Sequence, residues 1–422
     1  MKKREFKLSH VLKGDLWLWL VVMALMLISL VAVYSTIGLQ AVTKAYTTPW
    51  RAFTRHALYV VVAFVEIVAL ANMNYRVFSK VSRLLYVISL ALLVAVMVLG
   101  GRWMEIPVVG QFQPSEIAKV VLVLFLSRQI AVNRDILDEK AFFYQLLIVV
   151  GLSAGLILPE NFSTSALVIV ASLMVMLIGG VNTRYVLISM GVVLALGVGF
   201  LAYSSHVYHQ QQRELAAGVY NKDASHGLLE RTTTWGHRVD SWLNPNPDEL
   251  TQENMARMAV ASGGFFGVGV GNTVQARLMS EADNDFIYAI IIEESGMFGG
   301  IIVLFLYIFF FARCLRVSRR CKGFFGSLVS AGLGTMIFIQ AVVNMGVAVG
   351  ALPVTGQTLP LISRGGTALI MMGFAVGIIQ SVAYDTNKVE RADEDRKQKS
   401  KEFMETVAVA NESNNGTNAS NE

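Results

Sequence analysis

Asp285 stands where the longest polar stretch of the chain meets an apolar one, in Asp283-Asn-Asp-Phe-Ile-Tyr-Ala-Ile-Ile-Ile-Glu-Glu-Ser-Gly296. A carboxylate held at such a boundary is partly desolvated, which makes it a usable base near neutral pH. The same position suits a helix N-cap, with Asn284 as a rival cap, and from spacing alone both readings stand. Glu293 lies about two turns deeper and roughly 80° round the helix, too far to serve as the second carboxylate of a hydrolase pair. Chemistry at this position would rest on a single base.

Four more groups of polar residues lie near it in type, though not in sequence. Trp103, Gln113, Ser115, Glu116 and Lys119 surround Pro114, which suits the first turn of a helix that Gln113 or Ser115 can cap. Glu116 and Lys119 are then i,i+3 neighbours one turn into an apolar run, as a structural ion pair or as functional charge. Trp103 reads equally as an interfacial anchor. Arg238, among the aromatics of Trp235-Gly-His-Arg-Val-Asp-Ser-Trp242, suits a phosphate or a sugar, or simply faces solvent. Gly263-Gly-Phe-Phe-Gly-Val-Gly-Val-Gly-Asn272, with Gly269, Gly271 and Asn272, lets backbone approach backbone or a ligand closely. It is no dinucleotide fingerprint, because no βαβ pattern surrounds it. Last, Gln340 and Asn344 share a helix face before the Pro/Gly-rich run that ends in Ser363, Arg364, Gly365 and Gly366. That run is too apolar for an ordinary loop and is expected to dip back into the protein.

The elements that must position these residues are membrane helices. The chain has 422 residues, 54% hydrophobic and 15% charged, with a mean hydropathy of +0.54. A net charge of +5, dispersed along the chain, does not point to nucleic acid. Apolar runs near the roughly 20 residues that a bilayer requires recur at 16–35, 57–72, 84–100, 117–132, 142–158, 164–180, 185–203, 286–312, 325–350 and 368–383. The expected fold is therefore an all-α polytopic membrane protein of about ten spans. Basic residues cluster before the first span and after the second, fourth and eighth, which places both termini in the cytoplasm. The expected divisions are a cytoplasmic N-terminus at 1–14, a transmembrane domain at 15–385 and a disordered cytoplasmic tail at 386–422.

One large outward segment, about 204–284, joins the seventh and eighth spans, and residues 250–262 read as a short interfacial amphipathic helix within it. It holds His206, His209, His226 and His237; His206 and His209 could hold a metal, but no nearby carboxylate completes a facial set, so no metal site is assigned. Cys314 and Cys321 sit in a basic connection and are expected to remain thiols. Glu66, midway along the second span, receives no role.

These clusters, in this order, resemble the SEDS family (shape, elongation, division and sporulation), whose members include RodA and FtsW. The matching pieces are Arg102-Trp103, Gln113-Pro-Ser-Glu-Ile-Ala-Lys119, Asn244-Pro245, Gly269-Val-Gly271, Asp285-Phe-Ile-Tyr with Glu293-Glu294, and Leu352-Pro through Leu359-Pro-Leu-Ile-Ser-x-Gly-Gly366. The stretch Thr355 to Pro360 is closer to the FtsW division branch than to RodA. The resemblance implies a peptidoglycan glycosyltransferase of the bacterial inner membrane, working at the division septum. Its donor and acceptor would be lipid II, and it would release polyprenyl diphosphate. Its partners would be a class B penicillin-binding protein and other division proteins.

The family's essential Asp falls on Asp285, its Trp on Trp103, and its Ser-Glu-x-x-Lys on Ser115, Glu116 and Lys119. Cations for the departing diphosphate can come from Arg238, Arg364 or a divalent ion, Mg or Mn, although no cofactor is certain. Three departures stand out: Asp283-Asn284 where the family has His/Arg-Thr, Arg364 where it has an aromatic, and Glu160-Asn161 where it has Pro-Asp. Two other functions fit a chain of this kind. A lipid II flippase would need midplane polar residues, and only Glu66 lies at that depth. A non-catalytic division scaffold would not need a carboxylate at Asp285.

Overall fold

The computed structural model describes residues 12–40, 49–99, 103–106, 110–216, 228–246, 249, 251–279 and 281–418. Arg102 and His226 lie outside the described residues. All ten expected spans fall on helices: α1 Leu16–Gln40, α2 Pro49–Ala71, α3 Arg76–Leu99, α4 Pro114–Val132, α5 Lys140–Ile157, α6 Phe162–Ile178, α7 Thr183–Ala216, α10 Ile287–Arg320, α11 Phe324–Ala348 and α12 Gly366–Asn418. Eight of them are long and apolar enough to cross a membrane among the described residues. The other two are α4, which carries Glu116, Lys119 and Arg128, and α6, with 17 residues.

The outward segment differs from its expected outline. The helix α7 runs on to Ala216, well past the expected start of the segment at 204. Beyond it lie α8, Leu228–Leu243, and α9, Gln252–Gly263. The tryptophan–arginine cluster is thus helical, whereas α9 falls where the amphipathic pattern put it. Two three-residue strands, β1 Met104–Ile106 and β2 Gly110–Phe112, pair antiparallel with Met104 opposite Phe112, a small departure from an all-α chain.

The tail is a second correction. Residues expected to be disordered continue α12 as helix through Asn418. Elongating a formed helix avoids the cost of nucleation, and residues 385–400 contain neither Gly nor Pro. Ion pairs also hold this stretch to its neighbours: Arg320 with Glu390, Lys322 with Asp393, and Arg76 with Asp385 at 3.8 Å.

Burial separates the helices by task. The bilayer-spanning windows of α11 and α12 are 72% buried, while that of α7 is 6% buried, so α7 stands at the rim and faces lipid. At the end of the bundle opposite α8 and α9, Asp15 caps α1 through the Leu18 N–H at 3.0 Å and pairs with Arg313 of α10. The Asp15 N–H also donates to Gln380 Oε1 of α12 at 2.8 Å. This buried knot ties the first, eighth and tenth spans together. Cys314 and Cys321 are free thiols, as expected.

Candidate functional site

Two buried amides on α11 organise the site. Gln340 Oε1 accepts from Lys119 Nζ of α4 at 2.7 Å, and Gln340 Nε2 donates to the Thr358 carbonyl at 2.9 Å. Asn344 Nδ2 donates to the Gln357 carbonyl at 2.6 Å and to the Asp285 carbonyl at 2.8 Å. Gln357 Nε2 passes the chain of bonds to Thr164 Oγ1 of α6 at 2.8 Å. The Pro/Gly-rich run 351–365 does dip into the protein, with Gln357, Leu359, Leu361, Ile362 and Ser363 buried. Its backbone can be there because these side chains satisfy it.

Asp285 hangs from the same network. Phe286, not Asp285, occupies the N-cap of α10 and makes no side-chain cap bond there. The Asp285 N–H donates to the Glu281 carbonyl at 3.1 Å, closing a turn, and the side chain borders a cavity of about 1090 Å³. Gly356 stands across from it at φ +67°, where an added Cβ would lie 3.6 Å from Asp285 Oδ2. A glycine at that point serves both the left-handed turn and the access to the carboxylate.

Of the residues singled out from sequence, Trp103, Gln113, Glu116, Arg238, Asp285, Arg364, Gly365 and Gly366 line this cavity. Lys119 lies behind it, fully buried, neutralising Glu116 at 2.8 Å. The i,i+3 pair is thus real, and its geometry supports the wall of the site. Ser115 is buried without lining the cavity. Ser363 acts as a brace: its Oγ donates to the Asn284 carbonyl at 2.6 Å and accepts from the Leu359 N–H at 2.7 Å. Arg238 caps the roof from α8, donating to the Val354 carbonyl at 3.2 Å and lying 5.3 Å from the Trp235 ring centroid.

Gly269, Gly271 and Asn272 are placed elsewhere. The glycine-rich strip crosses α10 at its kink, Gly296, whose φ is +72°. There the Gly269 N–H donates to the Glu294 carbonyl at 3.0 Å and the Gly271 N–H to Glu294 Oε1 at 3.0 Å. Glu293 accepts from the Thr273 hydroxyl and from the Val274 N–H at 3.0 Å. Asn272 Nδ2 folds back onto the Val268 carbonyl at 3.0 Å. The strip uses its freedom for backbone-to-backbone contact, and Glu293 and Glu294 are fasteners for it.

The three departures from the family pattern meet at the cavity. Arg364 Nη1 pairs with Asp283 Oδ2 at 2.6 Å, and the Arg364 N–H donates to the Asp283 carbonyl at 2.8 Å. Asn161 lines the cavity and caps α6, accepting from the Thr164 N–H at 3.1 Å. Asn, like Asp, is a strong N-cap, so the departure keeps the local structure.

Several lining residues were not singled out from sequence: Arg55, His56 and Tyr59 on one face of α2, Glu281 before Asp285, and Gln357; Asn284, the rival cap, lines it too. Their signal was present on α2, where residues 52, 55, 56 and 59 follow helical spacing. Arg55, at the end of a span, also fits an ordinary flanking charge. His56 is buried and shares a hydrogen bond of 2.9 Å with Ser29. Glu66 lies deeper on α2 against Gly373 of α12, with its buried Oε2 lacking a hydrogen-bond partner.

Two further cavities adjoin the first. One, of about 560 Å³, opens between α6 and the lipid-facing α7, lined by Ile169, Val193, Leu196 and Phe200 and roofed by Trp235 and Arg238. The other, of about 610 Å³, lies between the ends of α7, α8 and α9 and shares Arg238, Glu281 and Asp285 with the main cavity. Arg238 borders all three, and Asp285 faces two of them. No group of three or more His, Cys, Asp or Glu side chains able to hold a metal occurs among the described residues. His209 instead pairs with Asp240 at 3.4 Å.

Residues 15–388 match the model of the FtsW/RodA/SpoVE family, described as cell cycle proteins. A probable peptidoglycan glycosyltransferase FtsW from Geobacter sp. (strain M18) is 29% identical over 364 residues, covering 84% of this chain and 92% of that one. The peptidoglycan glycosyltransferase MrdB of Escherichia coli K12 is 31% identical over 337 residues, covering 76% and 83%. In fold, the chain resembles one from a solved peptidoglycan synthase complex, with a TM-score of 0.67 at 23% identity, covering 88% and 98%.

Proposed function

The chain belongs to the FtsW/RodA/SpoVE family, and from that premise we propose that it polymerises lipid II into glycan strands, with Asp285 as the general base. The observation that carries this reading is the place of Asp285, on the wall shared by an arginine-lined cavity and a second polar chamber. Asp285 takes the proton of an acceptor sugar hydroxyl while the hydroxyl oxygen attacks the anomeric carbon of the donor. The bond from that carbon to the diphosphate breaks, and its electron pair leaves with the diphosphate. A diphosphate departs as an anion without needing a proton, so one base suffices.

The remaining residues serve charge and placement. Arg55, Arg238 and Arg364 line the main cavity and would stabilise the departing diphosphate. Trp103, Gln113, Glu116, Gly365 and Gly366 shape the wall the donor meets, Lys119 and Ser363 hold that wall in position, and Ser115 is buried behind it. Glu281, lining the same cavity, is an oxygen donor suited to a hard divalent cation, Mg or Mn, shared with the diphosphate. Such an ion would add positive charge at the leaving group. The apolar cavity beside α7 would admit the polyprenyl tail from the bilayer.

By the basic-residue pattern, these cavities open outward and the termini lie in the cytoplasm. Relatives named FtsW favour the division branch, hence the septum, and the likeness to a synthase complex favours a class B penicillin-binding protein as partner. The test is purified chain, with and without that partner, supplied with lipid II. Strands that form with wild type and vanish with Asp285→Asn support the assignment. Lipid translocation without strands would establish a flippase instead, and equal polymerisation by Asp285→Asn would remove the base.

A further inference from the structure

The main cavity and the chamber beyond Asp285 differ in charge. Three arginines line the first, whereas Arg238 is the single permanent cation among the described residues lining the second. Carboxylates are equal in number, Glu116, Glu281 and Asp285 in the first and Glu253, Glu281 and Asp285 in the second, so the arginines alone set the balance. With one arginine against three carboxylates, the second chamber is the poorer host for a diphosphate.

What the chamber offers instead is neutral polarity against aromatic surface. Gln211 and Gln212 project from α7, Thr233 and Thr234 from α8, and Tyr208 supplies a flat apolar face. Amides and hydroxyls beside an aromatic ring match a sugar, which has polar edges and a weakly apolar face. Burial pushes the Glu253 carboxyl upward, against the pull of His237, Arg238 and Arg257. The walls are also firmly set: Gly236 of α8 packs so tightly on α7 that an added Cβ would lie 2.2 Å from the Ser204 carbonyl oxygen.

Resting on the polymerase reading above, we propose that this chamber is the acceptor subsite, binding the uncharged N-acetylhexosamine end that carries the attacking hydroxyl. The donor then lies on the arginine side, and Asp285 stands between them. The proton moves from the acceptor hydroxyl to Asp285, the oxygen forms the new glycosidic bond, and the diphosphate leaves on the far side with the broken bond's electrons. Tyr208 and Gln212 are specificity residues under this arrangement, because they touch the acceptor and not the leaving group.

The test uses full-length chain in lipid nanodiscs and a soluble N-acetylglucosamine tetrasaccharide, followed by saturation-transfer NMR. Wild type, Asp285→Asn and Arg364→Gln should all bind the tetrasaccharide, whereas Tyr208→Ala and Gln212→Ala should weaken binding about tenfold. The same two variants should raise the KM for lipid II by a similar factor and leave kcat within about twofold. Tetrasaccharide binding that survives Tyr208→Ala and Gln212→Ala, or that is lost in Arg364→Gln, would overturn the proposal. Absence of binding to wild type would overturn it too. The underlying reading fails on a different result, polymerisation by Asp285→Asn, so the two can be told apart.

Discussion

Replacing Asp283 with Asn isolates one charge beside the turn that carries the proposed base. The Asp283 carboxylate is buried, with its side chain 8% exposed, and it holds Arg364 Nη1 at 2.6 Å, the arginine side chain being 26% exposed. Asn keeps the size and an acceptor oxygen, so what is lost is charge. Removing one partner of a fully buried pair costs about 3–5 kcal/mol. Here Arg364 can recover some solvation at its quarter-exposed edge, which brings the expectation nearer a charged hydrogen bond, about 2 kcal/mol. The turn stays in place, because the Arg364 N–H to Asp283 carbonyl bond and the Ser363 to Asn284 carbonyl bond are untouched. The variant should therefore fold, and strand synthesis from lipid II should fall about 10- to 30-fold in kcat/KM. Arg364→Gln alone should do similar or greater harm, and the double variant should be scarcely worse than Arg364→Gln. Coupling of about 1–2 kcal/mol between the two positions is the quantity to measure. Independent, multiplying losses would refute the view that Asp283 acts by orienting Arg364.

Three other outcomes follow from the same contacts. Lys119→Met strands the buried Glu116 carboxylate and should destabilise the protein by about 3–5 kcal/mol, read as a lower unfolding temperature. Adding Glu116→Gln should restore much of that loss, and a double variant as unstable as the single one would contradict the ion-pair account. Gly267→Ala places a Cβ 2.1 Å from the Glu294 carbonyl oxygen at a φ of +80°, so it should cost about 2–4 kcal/mol; an unchanged unfolding temperature would disprove the close crossing. Chelating divalent cations should slow strand synthesis, and Glu281→Gln should raise the Mg concentration giving half the maximal rate; a rate indifferent to both would remove the shared cation.

Much of the frame was legible because lipid imposes a simple rule on composition: each of the ten apolar runs became a helix. The polar lining was legible for the same reason, since Glu116, Asp285 and Arg364 are expensive beside hydrocarbon and need a purpose. Gly269 and Gly271 were misplaced because a glycine has no side chain to say which way it faces. Spacing tells that a backbone comes close to something; only the fold shows that the partner is the kink in α10. Arg55 and His56 were missed for a different reason. A basic residue at the end of a span serves topology and site chemistry alike, and sequence cannot separate two uses of one charge. The tail misled by composition, because a highly charged stretch without Gly or Pro is disordered alone yet helical when a membrane helix has already nucleated it.

The departures from the family pattern make the last step. Read singly, Asp283 and Arg364 each set a new charge beside the proposed base, and each alone would disturb it. In space they neutralise one another at 2.6 Å, 81 residues apart in the chain. The net field at Asp285 is therefore changed far less than either substitution would suggest. The arginine is also fixed in a position that borders the cavity, which an unanchored side chain of its length would not be. A charge placed to meet a diphosphate works best when its orientation is settled before the substrate arrives. The carboxylate at 283 supplies that orientation, so two departures that look independent in sequence are one device in the structure.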